Sequence, residues 1–220
     1  DPLILPAPSA IAGSLVADRA LLWSNFRVTA GEVLPGIALA AALAVLLAGA
    51  IHCSPLLRRA AYPLLVASQA IPLVLLTPLL VAWLGFGLLP KLAIIALVSF
   101  FPILVATLDG LAAVEPDLLK LMRTLGASRW QTFVRVEAPS ALPGLFSGAR
   151  VGVVFSLIGA FFAEWSGASA GLGVLAEQAI PQLETARAAA AVTLLGGFAV
   201  ALFAGLTLVE RRLVPWGARA

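Results

Sequence analysis

One cysteine, one histidine, one methionine and one tyrosine occur in the 220 residues, and only 11% of the chain is charged. The lone cysteine, Cys53, excludes an intramolecular disulfide. It adjoins the lone histidine, His52; adjacent residues on a helix do not face one another, so without a second cysteine or histidine the pair makes a poor metal site. The same scarcity excludes membrane-embedded proteases. His52 sits at the edge of an apolar run with no His-Glu-x-x-His partner, and Asp109 has no second aspartate within a span. No Gly-Lys pair occurs, so there is no phosphate-binding loop. Soluble domains carry roughly 25% charged residues, so a chain with so few turns most of its surface to something other than water.

Long charge-free runs fill the chain instead: Val33 to Ile51, Ala60 to Pro90, Leu92 to Leu108, Val151 to Ala163 and Ala188 to Val209. A membrane span needs about 20 apolar residues, fewer where flanking charges snorkel. The runs predict an all-α, polytopic helical membrane protein with five spans, at 33–53, 63–84, 92–110, 146–165 and 188–208. Alternating those spans places Arg58, Arg59, Lys120, Arg123, Arg129, Arg135, Arg150, Arg211, Arg212 and Arg219 on one side, and only Arg19, Arg27, Lys91 and Arg187 on the other. The richer side is expected to be cytoplasmic, with the N-terminus outside and the C-terminus inside. The net charge of +3 is thereby accounted for by the bilayer rather than by nucleic acid. The chain starts at Asp1 with no signal-peptide pattern, which predicts a sixth, N-terminal span upstream, the alternative being a short re-entrant or mature start.

No soluble domain or low-complexity stretch interrupts the chain, which reads as one transmembrane domain over 1–220. Residues 1–12 read as a proline-rich extended segment, with Ser9 placed to cap a short helix reaching about Trp23; Asn25 to Glu32 then leads into the first span. HCSPLLRR (52–59) reads as a short cytoplasmic turn and GFGLLPK (85–91) as an outer one, while GASAGLG (167–173) is too glycine-rich to continue a helix. Gly144, Gly148, Gly152, Ser156 and Ala160 recur at spacing four, a stripe that lets two helix backbones approach within one chain or across a dimer.

Between the third and fourth spans, VEPDLLKLMRTLGASRWQTFVRVEAPSALPGLFSG (114–148) reads as a basic helical hairpin. Glu115 can cap and Pro116 can occupy a first helical position. Leu118, Leu121, Met122 and Leu125 then form one apolar stripe with Lys120 and Arg123 off it. Gly126 ends this helix, Ser128 can cap a second one carrying Trp130, Phe133 and Val134, and Pro139 and Pro143 close the segment. Such a hairpin can lie on lipid headgroups or dock in the groove of a soluble subunit.

Here the chain resembles ABC-importer permeases, whose cytoplasmic pattern is Glu-Ala-Ala, three residues, Gly, nine residues, then Ile-x-Leu-Pro. Counted from Gly126, Pro139 falls at the matching distance and Val136 replaces isoleucine, while Lys120, Leu121 and Met122 occupy the triplet. Lys120 reverses the charge available for a salt bridge to an ATPase. ILPAPSAI (4–11), SQAIPLVLLTPLLVAWLGFGLLPK (68–91), FFPILVATLDGL (100–111), LGASRWQTF (125–133), AEWSGASAGLG (163–173) and LVERRLVPW (208–216) resemble the nitrate, sulfonate, taurine and thiamine-precursor branch, in that order along the chain. SQAIP with TPLLVAWLGFG and LMRTLGASRWQ is most similar to permeases for hydroxymethylpyrimidine thiamine precursors.

The resemblance implies a type I importer fold and a bacterial inner-membrane permease. It implies as partners a second permease copy, two cytoplasmic ATPases and an external substrate-binding protein. It implies no chemistry and no cofactor in this chain itself. Residues 111–145 would be the coupling hairpin, with Gly126 setting its angle and Leu121, Met122, Leu125 and Trp130 filling the ATPase groove. Polar residues within spans are costly and mark a pathway; the candidates are Ser68, Gln69, Ser99, Thr107 and Glu164. Each also has a plain reading, since serine and threonine bond back to their own helix and Glu164 lies near an interface. A secondary transporter or a membrane scaffold remains as the rival reading, although internal repeats and paired mid-membrane charges are not evident.

Overall fold

The computed structural model describes residues 6–216; the first five residues of the expected extended segment, and Arg219 with the rest of the chain's end, lie outside them. Among the described residues every regular element is helical. Helix α1 (Pro8–Ala17) starts at a proline, whose missing N–H costs nothing in a first turn, so Ser9 lies inside the helix rather than capping it. After a break at Asp18, α2 (Arg19–Cys53) runs 35 residues without interruption.

That length, roughly 52 Å at 1.5 Å per residue, corrects the expected span at 33–53. Hydropathy alone stops at Glu32, but Leu22, Asn25, Thr29, Glu32, Val33, Gly36 and Ala40 are all buried at helical spacing. The polar residues at the head of α2 face the bundle, where they find partners.

The second expected span is divided. Helix α3 (Pro55–Ser68) and helix α4 (Leu73–Leu84) are separated by a short non-helical stretch ending at Pro72, which precedes α4 in an extended conformation. The residue before a proline is pushed out of the helical region, which accounts for the break at this place. Pro63 and Pro78 are carried inside their helices. Helix α5 (Leu88–Ala112) follows, then the hairpin helices α6 (Pro116–Thr124) and α7 (Arg129–Thr132).

Pro139 and Pro143 do not close the hairpin. Helix α7 passes through one π turn, Phe133–Glu137, directly into α8 (Ala138–Trp165), so residues 129–165 form a single helical rod. The N–H of Ala138 reaches back five residues to the carbonyl of Phe133. This wider turn accommodates the proline that follows, whose nitrogen cannot donate to the ladder. Helices α9 (Leu172–Ala179) and α10 (Thr185–Leu213) complete the chain. Among the described residues four helices are long and apolar enough to cross a membrane: α2, α5, the rod 129–165, and α10.

The small-residue ladder on α8 packs inside the chain, against α5. A methyl group added to Gly148 would lie 2.7 Å from the carbonyl oxygen of Pro102 and 2.9 Å from the Cα of Ile103, so at this level the two helices meet backbone to backbone. A matching stripe on α2, Gly36, Ala40, Ala44 and Ala48, approaches α5 from another side; a methyl on Gly36 would lie 2.8 Å from the Cβ of Ile95. In a bilayer, where lipid is as apolar as leucine, such close packing is a principal attraction between helices. Ile94, Ile95, Ile103 and Leu104 of α5 are fully buried, so α5 is the axis of the bundle.

Gly148→Ala is expected to cost about 1–3 kcal/mol through overpacking, read as a lowered thermal midpoint in detergent. Gly31→Ala, where an added methyl meets nothing within 4 Å, should leave the midpoint unchanged or raised.

Candidate functional site

The two ends of the bundle carry different polar structures. At one end stands the hairpin. Pro116 opens α6, Asp117 pairs with Lys120 at 2.8 Å, and the helix stops at Gly126, whose φ is +73°. The N–H of Gly126 donates to the carbonyl of Arg123 and that of Ala127 to the carbonyl of Met122, both at 3.0 Å. These two bonds close a Schellman motif that needs the left-handed residue between them. Space is not the constraint, because an added Cβ at Gly126 meets nothing within 4 Å; backbone conformation is.

Two residues later Ser128 caps α7 through a reciprocal box. Its hydroxyl accepts from the N–H of Gln131 at 3.2 Å, and the Gln131 side chain accepts from the Ser128 N–H at 2.9 Å. The turn is therefore tightly specified by its own residues. Yet α6 buries nothing: Leu121 is 52% exposed, Leu125 71% and Trp130 71%. Trp130 stacks on Phe133, their ring centres 6.0 Å apart. Lys120, Leu121, Met122, Leu125, Gly126 and Trp130 thus stand together on one projecting unit, with Met122 half-buried.

Pro139 belongs to the first turn of α8, behind the π turn. There Glu137 lies 3.2 Å from Nε2 of His52, at the last turn of α2, so the base of the hairpin is tied to a second span. Sequence spacing gave no sign of this pairing.

At the opposite end, three side chains take up the first amides of α9. The N–H of Gly171 donates to Oδ1 of Asn25 at 2.8 Å, that of Leu172 to the Thr29 hydroxyl at 2.9 Å, and that of Gly173 to a Glu164 carboxylate oxygen at 2.6 Å. The Thr29 hydroxyl bonds the other Glu164 oxygen at 2.5 Å. The start of a helix leaves amides without partners, and here α2 and α8 supply them. Gly171 sits at φ +138°, and a side chain there would collide with the Glu164 carboxylate. Nearby, Lys91 at the start of α5 pairs with Glu32 of α2 at 2.5 Å, and Arg187 of α10 pairs with Asp18 at 3.1 Å and with Glu184.

The Arg187 guanidinium, with the Ser14 hydroxyl assisting, holds the Asp18 carboxyl below its ordinary value. A lowered carboxylate stabilises the fold above its ordinary range, and that contribution is lost as pH falls through the lowered value.

The five expected pathway residues separate. Ser68 and Gln69 lie together at the α3–α4 break, beside a cavity of about 320 Å³ that Pro72, Val98, Phe155 and Phe162 also line. Ser99 is fully buried, its hydroxyl without a partner among the described residues. Thr107 is buried and donates to the Ile103 carbonyl at 2.7 Å. Glu164, 1% exposed, is spent on Thr29 and Gly173. Asn25, Thr29, Glu32 and Lys91 were not singled out from sequence; their only local signal is the helical spacing of the first three.

Against known proteins, residues 36–215 match the family model described as binding-protein-dependent transport system inner membrane component. The chain is 35% identical over 216 residues to the formylaminopyrimidine transport permease protein ThiX of Halalkalibacterium halodurans, covering 98% of this chain and 86% of that one. It is 36% identical to the riboflavin transport system permease protein RibX of Chloroflexus aurantiacus, covering 98% and 81%. It is 29% identical to the taurine transport system permease protein TauC of Escherichia coli, again covering 98% and 81%. Among solved structures, an amino acid ABC transporter with histidines superposes with a TM-score of 0.68 at 16% identity, covering 94% of this chain and 97% of that one, a likeness of fold.

If Glu164 serves as a structural tie, Glu164→Ala should lower the thermal midpoint by the equivalent of about 1–3 kcal/mol, and Glu164→Gln, which keeps the side-chain volume and one of the two acceptor oxygens, by less. A changed KM for uptake with an unchanged midpoint would make it a solute contact instead.

Proposed function

From the chain's membership in the family of binding-protein-dependent transport system inner membrane components, we propose that it imports a small aminopyrimidine of the thiamine-precursor type, with sulfonates, taurine or nitrate as the alternative. The chain is a multi-pass permease component of an ABC importer for small solutes, a family that works with an ATPase and a substrate-binding protein. The permease is not itself the enzyme.

The aminopyrimidine reading is supported by the 35% identity to the formylaminopyrimidine permease along nearly the whole chain. It is also supported by the SQAIP and TPLLVAWLGFG words at 68–87. The permease works as a homodimer in the bacterial inner membrane, its C-terminus cytoplasmic, an orientation supported by the basic residues gathered on the hairpin side.

The hairpin carries the coupling role, and the observation behind it is the combination at Gly126. A turn closed by its own hydrogen bonds holds out Leu121, Leu125 and Trp130, apolar groups that stay largely exposed among the described residues. A free surface of this kind costs solubility unless a partner fills it. An ATPase groove taking Leu121, Met122, Leu125 and Trp130 would bury it, with Gly126 fixing the angle between the two helices and Pro139 seating the unit on α8. Lys120, already engaged with Asp117 on the surface, would meet the groove with positive charge.

When the ATPases close, the hairpin moves, and the rod 129–165 carries that movement to the far face as a switch between two packings. The solute would pass the α3–α4 break, where Ser68 and Gln69 offer polar contacts beside their cavity. Ser99, Thr107 and Glu164 stand behind that path in the packed walls.

Gly126→Asp is expected to abolish ATPase co-purification and uptake in proteoliposomes while membrane insertion stays intact; uptake at the wild-type rate would end the coupling assignment. Gln69→Ala should raise KM for uptake several-fold with ATPase binding unchanged.

A further inference from the structure

At the hairpin end a cavity of about 300 Å³ opens between α2, α3 and α5. Its walls are in part apolar, with Ile51, Leu65 and Leu108, and it carries three ionisable groups, His52, Arg58 and Asp109. The imidazole is held by Glu137. The other two are of opposite sign, yet among the described residues neither the Asp109 carboxylate nor the Arg58 guanidinium has an ion-pair partner, and they do not pair with each other.

Opposite charges that border one pocket without meeting are arranged for something that lies between them. A carboxylate accepts hydrogen bonds from an ammonium or an amidine-like edge, and a guanidinium donates a fork to an anion or a paired acceptor. Both charged groups stay open to water, so the site is one a solute can enter and leave. The volume is at the small end of ligand sites, fit for a single compact molecule.

We propose that this cavity is a solute site on the hairpin side of the permease, taking a small dipolar molecule with its donor end on Asp109 and its acceptor or anionic end on Arg58. Aminopyrimidines and zwitterionic sulfonates both have this polarity. The inference rests on the importer reading for the identity of its ligand, and extends it by adding a site away from the α3–α4 break.

The site also touches the coupling unit. His52 lines the cavity and meets Glu137 in the π turn at the root of the hairpin. An occupant pressed against the imidazole therefore bears on the joint through which ATPase movement enters the spans. Solute leaving on this side pauses here, and solute accumulated on this side refills the cavity.

The test is equilibrium binding to the purified permease in lipid nanodiscs, with whatever ATPase it retains and no binding protein. The probes are radiolabelled hydroxymethyl-aminopyrimidine, taurine and, as an uncharged control, glucose. At least one dipolar probe should bind and glucose should not. Asp109→Asn and Arg58→Gln should each weaken that binding tenfold or more, with thermal midpoints like wild type, since both side chains lie at exposed positions. Absence of binding by both dipolar probes, equal binding by the variants, or binding of glucose would overturn the proposal. ATPase retention in the same preparations reads the importer assignment separately: retention without probe binding sinks the site alone, and probe binding without retention sinks the importer reading alone.

Discussion

Everything in this bundle is hung on the approach of α8 to α5. Glycines at 144, 148 and 152 remove the side chains that would hold the two backbones apart, and the carbonyls of Ala106 and Pro102 occupy the space where those side chains would be. Within lipid there is little hydrophobic force to drive helices together, so contact of this closeness has to come from shape. Once α5 and α8 are fixed, α2 adds its own alanine stripe to the free flank of α5. Helix α10 packs along its length, with Leu195, Phe198, Ala199, Leu202 and Leu206 against the core, and is anchored by the Arg150–Glu210 ion pair and by Arg150 over the Phe203 ring.

The polar groups follow a matching logic. At the α9 end the bonds are long-range: Thr29 meets Glu164 across 135 residues, and Asn25 meets Gly171 across 146. They pin three helices and a glycine turn into one cap. At the hairpin turn the bonds are local, between residues three to five apart, and the surface they shape is left uncovered, while the long-range pair of His52 with Glu137 lies at the hairpin's base. One end is closed on itself and the other is prepared for company, and this asymmetry supports the coupling role better than any single residue.

Much of this was legible in sequence wherever the cause was local. Charge-free runs marked the spans, Gly126 and Ser128 marked the hairpin turn, and the spacing-four glycines marked a close contact, because propensity, caps and periodicity act over a few residues. Whether that ladder faced its own chain or another could not be read locally, and the fold assigns it to α5. The head of α2 was misread for a physical reason: hydropathy scores Asn25, Thr29 and Glu32 as solvent-seeking, whereas each is buried against a partner far away in sequence or on another helix. The pairings of His52 with Glu137 and of Glu32 with Lys91 left no trace in spacing. The second span reads in sequence as continuous over 63–84 but is divided before α4 at Pro72. The rod reads as closed at Pro139 and Pro143 but runs on, since a π turn absorbs a proline that ordinary helix rules treat as a stop.

That rod has a mechanical meaning. Residues 129–165 join Trp130, at one face of the bundle, to Glu164, one residue from the other end, through a single continuous helix. A column loaded along its axis transmits displacement without delay or loss until it buckles, and it buckles where its ladder is out of register. The π turn at Phe133–Glu137 is such a place, and it is braced from the side by His52. The molecule is thus built like a strut with a collared joint near its hairpin end. Under the proposed coupling role, stiffness along the shaft would carry movement of the hairpin to the far cap, and whatever tightens or loosens the collar would set how much of it arrives.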